Sequence, residues 1–394
     1  MRHSVAHSLK PDSAAALAEV LDAALRGLDG AAPTLGLLLL TGHHAGAAET
    51  FAAEISKRIA PGVLLGGTAE SLISGSSEIE RRPALVLWLA SWPGADVRPR
   101  HLTFEGEDEN GTFLGLPDPM PDPGRPHTLF LIPDPFTFPC DLLLKRLGGE
   151  RPGCLTFGGM ASGGWNPGAN RLIVGPEVYD HGAAAAVVSG GVRIETVVSQ
   201  GCRPIGKPFI ITKSEGNVLQ TLGGKPALQR LQEVFEALPP EDQQIARRAL
   251  HVGQAIDEMK DEFGRGDFLI RNVMGIDPKS GAVVIGDAIR PGRTVQFQVR
   301  DAASAKEDLR FLMKSRREKG LLPPGSGALL VSCNGRGSRL FGEPDCDAGA
   351  VRDALGDVPL AGFFAAGEIG PVGGKNFLHG FTASLAIFTP TQDA

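Results

Sequence analysis

No apolar run in this chain of 394 residues approaches the ~18 residues needed to cross a membrane. The longest are residues 35–40, interrupted by Gly36, and residues 183–188. Asp12, Glu19 and Asp22 spoil a secretory leader near the N-terminus, so a cytoplasmic protein without membrane attachment is expected. Cysteine is scarce. Cys140, Cys154, Cys202, Cys333 and Cys346 are odd in number, widely spaced and without a CxxC pair, which argues against a disulfide framework and a structural zinc site. An excess of basic charge is also lacking: the formal net charge is −6, with Lys and Arg scattered. No track for a phosphate backbone results, and nucleic acid is not an expected partner. Aromatics are only 6%. Glycine and proline are plentiful, at 52 and 30 residues, about a fifth of the chain against ~12% on average. The chain therefore turns often. Hydrophobic residues at 42% and charged residues at 21% exclude disorder as the main state, and the length suits two domains or one large composite.

Residues 12–27 read as an amphipathic helix, with Leu17, Val20, Leu21, Ala24 and Leu25 on one face, Ser13 as N-cap and Gly27 at the end. It is expected to pack as a lid or edge. A unit of strand, polar loop, helix, strand, Gly-rich turn and strand then recurs three times. The first copy uses strands at 37–40, 63–65 and 84–90 with a helix at 49–59. The second uses strands at 128–132, 154–157 and 183–188 with a helix at 141–147. In the third, strands at 328–332, 360–364 and 383–388 surround a helix starting near Asp347. Such crossovers bring strand carboxyl ends to one sheet edge, where open α/β sheets place ligands.

Between copies two and three the pattern changes. Strands are expected at 192–199 and 208–221, helices at 226–237 and 240–251, then strands at 268–274, 282–285 and 294–300. The last alternates as a half-buried antiparallel strand would. Ser304 and Glu307 suggest a capping box for the next helix. The expected fold class is α/β (α+β): repeated strand-helix-strand-strand units building mixed sheets covered by helices, in two pseudo-related halves. Residues 1–30 would form an N-terminal helix and linker, 31–220 one domain and 221–390 another.

Gly66-Gly67-Thr68-Ala69-Glu70, Asp134-Pro135-Phe136, Ser199-Gln200-Gly201-Cys202-Arg203-Pro204-Ile205-Gly206, Phe268-Leu269-Ile270-Arg271-Asn272, Ser332-Cys333-Asn334-Gly335-Arg336-Gly337 and Gly367-Glu368-Ile369-Gly370-Pro371 together resemble the FIST family. The resemblance covers paired N and C regions between about residues 35 and 388. It implies a bacterial sensor of small ligands, amino acids among them. Signalling would pass to a separate partner such as a kinase.

Arg336, between Gly335 and Gly337 after a strand, suits a bidentate grip on a ligand carboxylate, with a structural arginine as the alternative. Asn334 adjoins it, and Arg203 is a second candidate. Glu70, Glu368 and Asp134 occupy what read as corresponding edge segments, where a carboxylate receives an ammonium group. Gly67, Gly159 and Gly367 would allow close backbone approach. Cys333, near Arg336, has the setting of a reactive thiol, with His379 as its base, so a cysteine-dependent hydrolase or transferase acting on an amide or thioester is the alternative to a sensor. A small buried hydrophobe explains Cys333 equally well, and a protein-interaction scaffold is the third reading. His43-His44 reads as a cap or surface pair rather than a metal site. The glycine pairs at 158–159 and 163–164 lack a P-loop lysine and a GxGxxG, so no nucleotide cofactor is expected.

Overall fold

The computed structural model describes residues 1–106, 108–116, 127–151, 153–264, 266–318, 320 and 322–391. The chain forms two compact units, 1–198 with 312–394, and 199–311. All three copies of the repeat lie in the first unit, and the architecture is mixed α/β. Each copy places its strands in the order return, first, second. These are Leu85–Ser91, Leu35–Thr41 and Val63–Ala69 in copy one, Ala183–Ser189, His127–Pro133 and Leu155–Gly159 in copy two, and Ala383–Pro390, Gly327–Cys333 and Leu360–Ala365 in copy three. First and second strands are parallel and the return strand is antiparallel. Parallel neighbours need a crossover, supplied by the helices Ala48–Ile59, Cys140–Glu150 and Cys346–Leu355. Outside each return strand runs an entry strand: Arg2–Ser8, Asp96–Glu105 or Val192–Ser199.

The hairpin that follows each second strand is exchanged between copies. That of copy one (Leu72–Ser74, Ser77–Ile79) pairs with Leu360–Ala365 of copy three. That of copy two (Leu172–Val174, Glu177–Tyr179) pairs with Val63–Ala69 of copy one. That of copy three (Glu368–Val372, Lys375–His379) pairs with Leu155–Gly159 of copy two. The exchange is cyclic, so the copies are related by a pseudo-threefold and every second strand has its outer edge covered.

Side-chain alternation explains the leucine run. Leu35, Leu37 and Leu39 enter a central core shared with Phe130, Ile132, Leu329 and Val331 of the other copies. Leu38 and Leu40 face the helical layer with Ala16, Val20, Phe51 and Ile55. A strand buried on both faces reads as a continuous apolar stretch. The helix Ser13–Gly27 therefore covers a sheet face and is neither lid nor edge. Its cap is Asp12, whose Oδ1 accepts from the Ala15 N–H at 2.8 Å; Ser13 Oγ instead bonds His44 Nδ1 at 2.9 Å.

In the second unit, antiparallel strands run in the order Cys202–Pro204, Thr294–Arg300, Phe209–Glu215, Val218–Leu222, Ala282–Ile285, Phe268–Asp277, Leu250–Ala255, and the last also pairs with Thr294–Arg300. The sheet thus curls back on itself. The strand Thr294–Arg300 is buried on both faces rather than half-buried; Gln296 is accommodated by donating from Nε2 to the Gly206 carbonyl at 2.8 Å. The helices are Ala227–Glu236 and Pro240–Ala246. The second ends before His251, which pairs in a strand. The helix Ala302–Glu318 is capped by Asp301, which accepts from Ser304 N at 2.8 Å and Ser304 Oγ at 2.9 Å, so Ser304 is the third helical residue and not the cap.

Candidate functional site

The carboxyl ends of the three first strands are equivalent down to their hydrogen bonds. Thr41 N donates to Ala84 O at 3.1 Å, Asp134 N to Gly182 O at 2.8 Å, and Cys333 N to Thr382 O at 3.0 Å. The expected equivalence of Asp134 with Glu70 and Glu368 is therefore replaced by Thr41, Asp134 and Cys333. The glycines are re-registered too. A Cβ on Gly66, Gly158 or Gly362 would sit 2.1, 1.9 or 1.8 Å from the carbonyl oxygen of Leu38, Leu131 or Leu330, so these three are equivalent, and the copy-three counterpart of Gly67 and Gly159 is Phe363 rather than Gly367. Gly67 and Gly159 follow these glycines and face Ile132 and Val331 of the next copy.

Two of the three strand ends are closed by their own side chains. Thr41 Oγ1 accepts from Ala84 N at 3.0 Å. Asp134, fully buried, accepts from Phe136 N at 3.1 Å, Thr137 Oγ1 at 2.8 Å and Asn170 Nδ2 at 2.9 Å. Asn170 in turn receives the Thr68 hydroxyl at 3.0 Å. Such a saturated carboxylate is a turn-and-crossover brace.

The third end is different. Cys333 is half-buried, its Sγ accepts from the Gly335 N–H at 3.4 Å, and its thiol hydrogen-bonds the Glu368 carboxyl. Glu368 is fully buried. Its Oε2 accepts from Thr382 N at 2.9 Å and Thr382 Oγ1 at 2.8 Å, while Oε1 has no N–H or O–H donor among the described residues. Burial pushes this carboxyl up to about 7, against the opposing pull of the Thr382 and Cys333 bonds and the Arg336 charge. The Asn334 side-chain oxygen is likewise buried without a donor.

Arg336 is fully buried. Nε and Nη2 each meet the Asp347 carboxylate at 2.7 Å, Nη1 donates to Phe381 O at 3.3 Å, and the guanidinium lies 5.3 Å from the Phe341 ring centre. Burial disfavours its charge, yet Asp347 more than restores it and holds the group above its usual range. Asp347 also takes the Ser332 hydroxyl at 2.7 Å. Glu78, from the exchanged hairpin of copy one, accepts from Asp347 N and Ala348 N at 2.8 and 2.9 Å; burial, then the nearby Asp347 charge, pushes it up to about 7. Glu70 forms a two-armed pair with Arg339, which also donates to the Asn334 carbonyl at 3.0 Å.

Cys333, Asn334, Arg336 and Glu368 thus come together at one strand end, with Glu70 joined through Arg339. Asp134 braces another copy. Gly367 lends its carbonyl to Met160 N at 2.8 Å. His379 sits opposite Glu368 in the exchanged hairpin, with Nε2 bonded to the Gly370 carbonyl at 2.9 Å. Arg203 lies in the second unit, paired with Asp242 and with Asp301. His43 and His44 hold the Pro11 carbonyl and the Ser13 hydroxyl. Asp347, Glu78, Thr382 and Arg339 escape sequence reading as site residues; only the acid at a helix start is a local signal, and Glu78 and Thr382 carry none.

The FIST N domain model matches residues 34–225 and the FIST C domain model residues 227–371. The uncharacterized protein MT0656 of Mycobacterium tuberculosis (strain CDC 1551 / Oshkosh) is 43% identical over 389 residues, 98% of this chain and all of that protein. The uncharacterized protein Mb0898c of Mycobacterium bovis is 41% identical over the full length of both. Among the described residues no helix is long and apolar enough to cross a membrane.

Proposed function

Because this chain belongs to the FIST domain family, we propose that it is a small-ligand sensor whose ligand carries an ammonium group, an amino acid first among the candidates. The observation behind this reading is the pair of buried acceptors, Glu368 Oε1 and Asn334 Oδ1, that have no N–H or O–H donor among the described residues. Buried polar atoms are normally paired, and two such acceptors, one of them on a carboxyl poised near neutrality, suit an N–H-rich cation. Arg336 then acts as a positioning residue that holds the loop through Asp347, and Arg203 does the same within the second unit. Arg339, with its side chain 39% exposed, is placed to share its charge between Glu70 and a ligand carboxylate. Gly67, Gly159 and Gly367 supply close-packed backbone, and Asp134 braces the neighbouring copy. The ligand's effect would pass to a separate cytoplasmic protein, a kinase being one class, without nucleic acid or membrane.

The test is thermal-shift screening of the protein and its Glu368→Gln variant against the twenty amino acids and simple amines. At least one should raise the melting temperature of the parent and lose most of that effect in the variant. No stabilisation of the parent by any of them would defeat the reading.

One observation favours a second reading. The Gly335 N–H aimed at Sγ and the nearby Arg336 charge both stabilise a thiolate, and the Glu368 carboxyl is in hydrogen-bond contact with the thiol. A nucleophilic Cys333 would be alkylated by iodoacetamide far faster than Cys140 and Cys154, whose thiols burial pushes up, the latter to about 11. Equally slow labelling at all three would remove it.

A further inference from the structure

The second unit has a half-open cavity of about 420 Å³, inside the ~300–1,000 Å³ range of small-molecule sites. Leu228, Leu231 and Phe235 line it from the helix Ala227–Glu236; spaced three and four apart, they share one helical face. Val273 and Ile276 line it from the strand Phe268–Asp277. Residues three apart on a regular strand point to opposite faces, but here the register shifts between Val273, opposite Ile285, and Gly275, opposite Val284. This bulge turns both apolar side chains to the same cavity, a common use of bulges. Ile276 is left 44% exposed, a cost in water that an apolar occupant would remove.

The mouth carries charge. Arg247 and Arg248 both line the cavity and are exposed. Neither meets a carboxylate among the described residues, and Arg247 lies 5.4 Å from the Phe235 ring centre. Glu236 is the one acid in the lining, so the rim holds two cations against one anion. Apolar walls with an excess of guanidinium at the opening match a molecule with a hydrocarbon body and one anionic end.

We propose that this cavity binds an amphipathic monocarboxylate, its acyl chain against Leu231, Phe235, Val273 and Ile276 and its carboxylate at Arg247 and Arg248. The residues that line it all belong to the second unit.

Calorimetric titration of the full chain with decanoate, below its micellar range, tests this. Saturable binding at one site is expected. Decanol, equally apolar but uncharged, should bind at least about tenfold more weakly, and butyrate, with the charge but little chain, should give no measurable heat. The double variant Arg247→Ala/Arg248→Ala should reduce decanoate affinity about tenfold and decanol affinity by clearly less. Phe235→Asp should abolish binding of both. Absence of saturable decanoate binding, equal affinity for decanol, or undiminished affinity in the double variant would each overturn the proposal.

Discussion

Arg336 shows how a residue type readable from sequence takes its meaning from its partner. A guanidinium between two glycines suggests a ligand hook, but Asp347 occupies it fully. Arg336→Ala leaves a buried aspartate with only Ser332 for company, and such losses cost about 3–5 kcal/mol. A large fall in melting temperature is expected, smaller for Arg336→Lys, which keeps the charge but not the fork; unchanged melting of the alanine variant would contradict the pairing. Glu368 makes a pH prediction. Its folded-state value near 7 lies above the ordinary 4.5, so the folded chain holds the proton more tightly than the unfolded one. The associated stability is complete below about 4.5 and is lost as pH rises through 7, on the order of 3 kcal/mol. His3, lowered to about 4 by burial, has the opposite sign and gains stability as pH rises from about 4 to 6.5. The clean measurement is therefore a difference: the melting temperature of Glu368→Gln minus that of the parent should grow between pH 4.5 and 8.5. Parallel curves would show that Glu368 titrates normally. If an ammonium ligand is held by this carboxylate, its affinity should also weaken below pH 7.

Elements carry their own constraints. The helix Cys140–Glu150 contains Gly148, where an added Cβ would meet nothing within 4 Å, whereas Gly158 has φ +150° and the Leu131 carbonyl 1.9 Å from any Cβ. Gly148→Ala should be neutral or stabilising by up to ~1 kcal/mol. Gly158→Ala should break the parallel pair and lower the melting temperature sharply, or prevent soluble expression. Comparable melting of the two variants would contradict the close approach. The strands and crossover helices were legible because two-sided burial and helical periodicity leave marks in composition. The helix Cys346–Leu355 was legible as a helix, yet its N-terminal N–H groups are satisfied by Glu78, 269 residues away from Asp347. Its local residue Asp345 makes no side-chain cap bond. No local rule finds a cap of that kind.

At the scale of the molecule, the first unit closes only when residues 312–394 return to residues 1–198. Cutting near Gly224 removes the third sheet, uncovers Leu39, Ile132 and their neighbours, strips Leu155–Gly159 of its paired hairpin, and leaves the hairpin at 72–79 without its strand. Fragment 1–224 should therefore aggregate or melt without cooperativity in size-exclusion and calorimetric assays. Two monodisperse, cooperatively melting fragments would refute the shared core.

The sequence alone determined the class of the three core strands and the crossover helix of each copy, the three copies, the family resemblance, and the gathering of polar residues at strand carboxyl ends, because these follow from side-chain periodicity and glycine placement along a short stretch. Tertiary structure decided the rest. Hairpin exchange depends on pairing between strands hundreds of residues apart, as Gly362 with Ile73 illustrates. The same long-range closure buried Arg336 against Asp347, left Glu368 Oε1 and Asn334 Oδ1 without an N–H or O–H donor among the described residues, and turned Thr41 and Asp134 into braces. Those assignments rest on which donors reach which acceptors once water is excluded, and no single segment of the chain contains both sides of that relation.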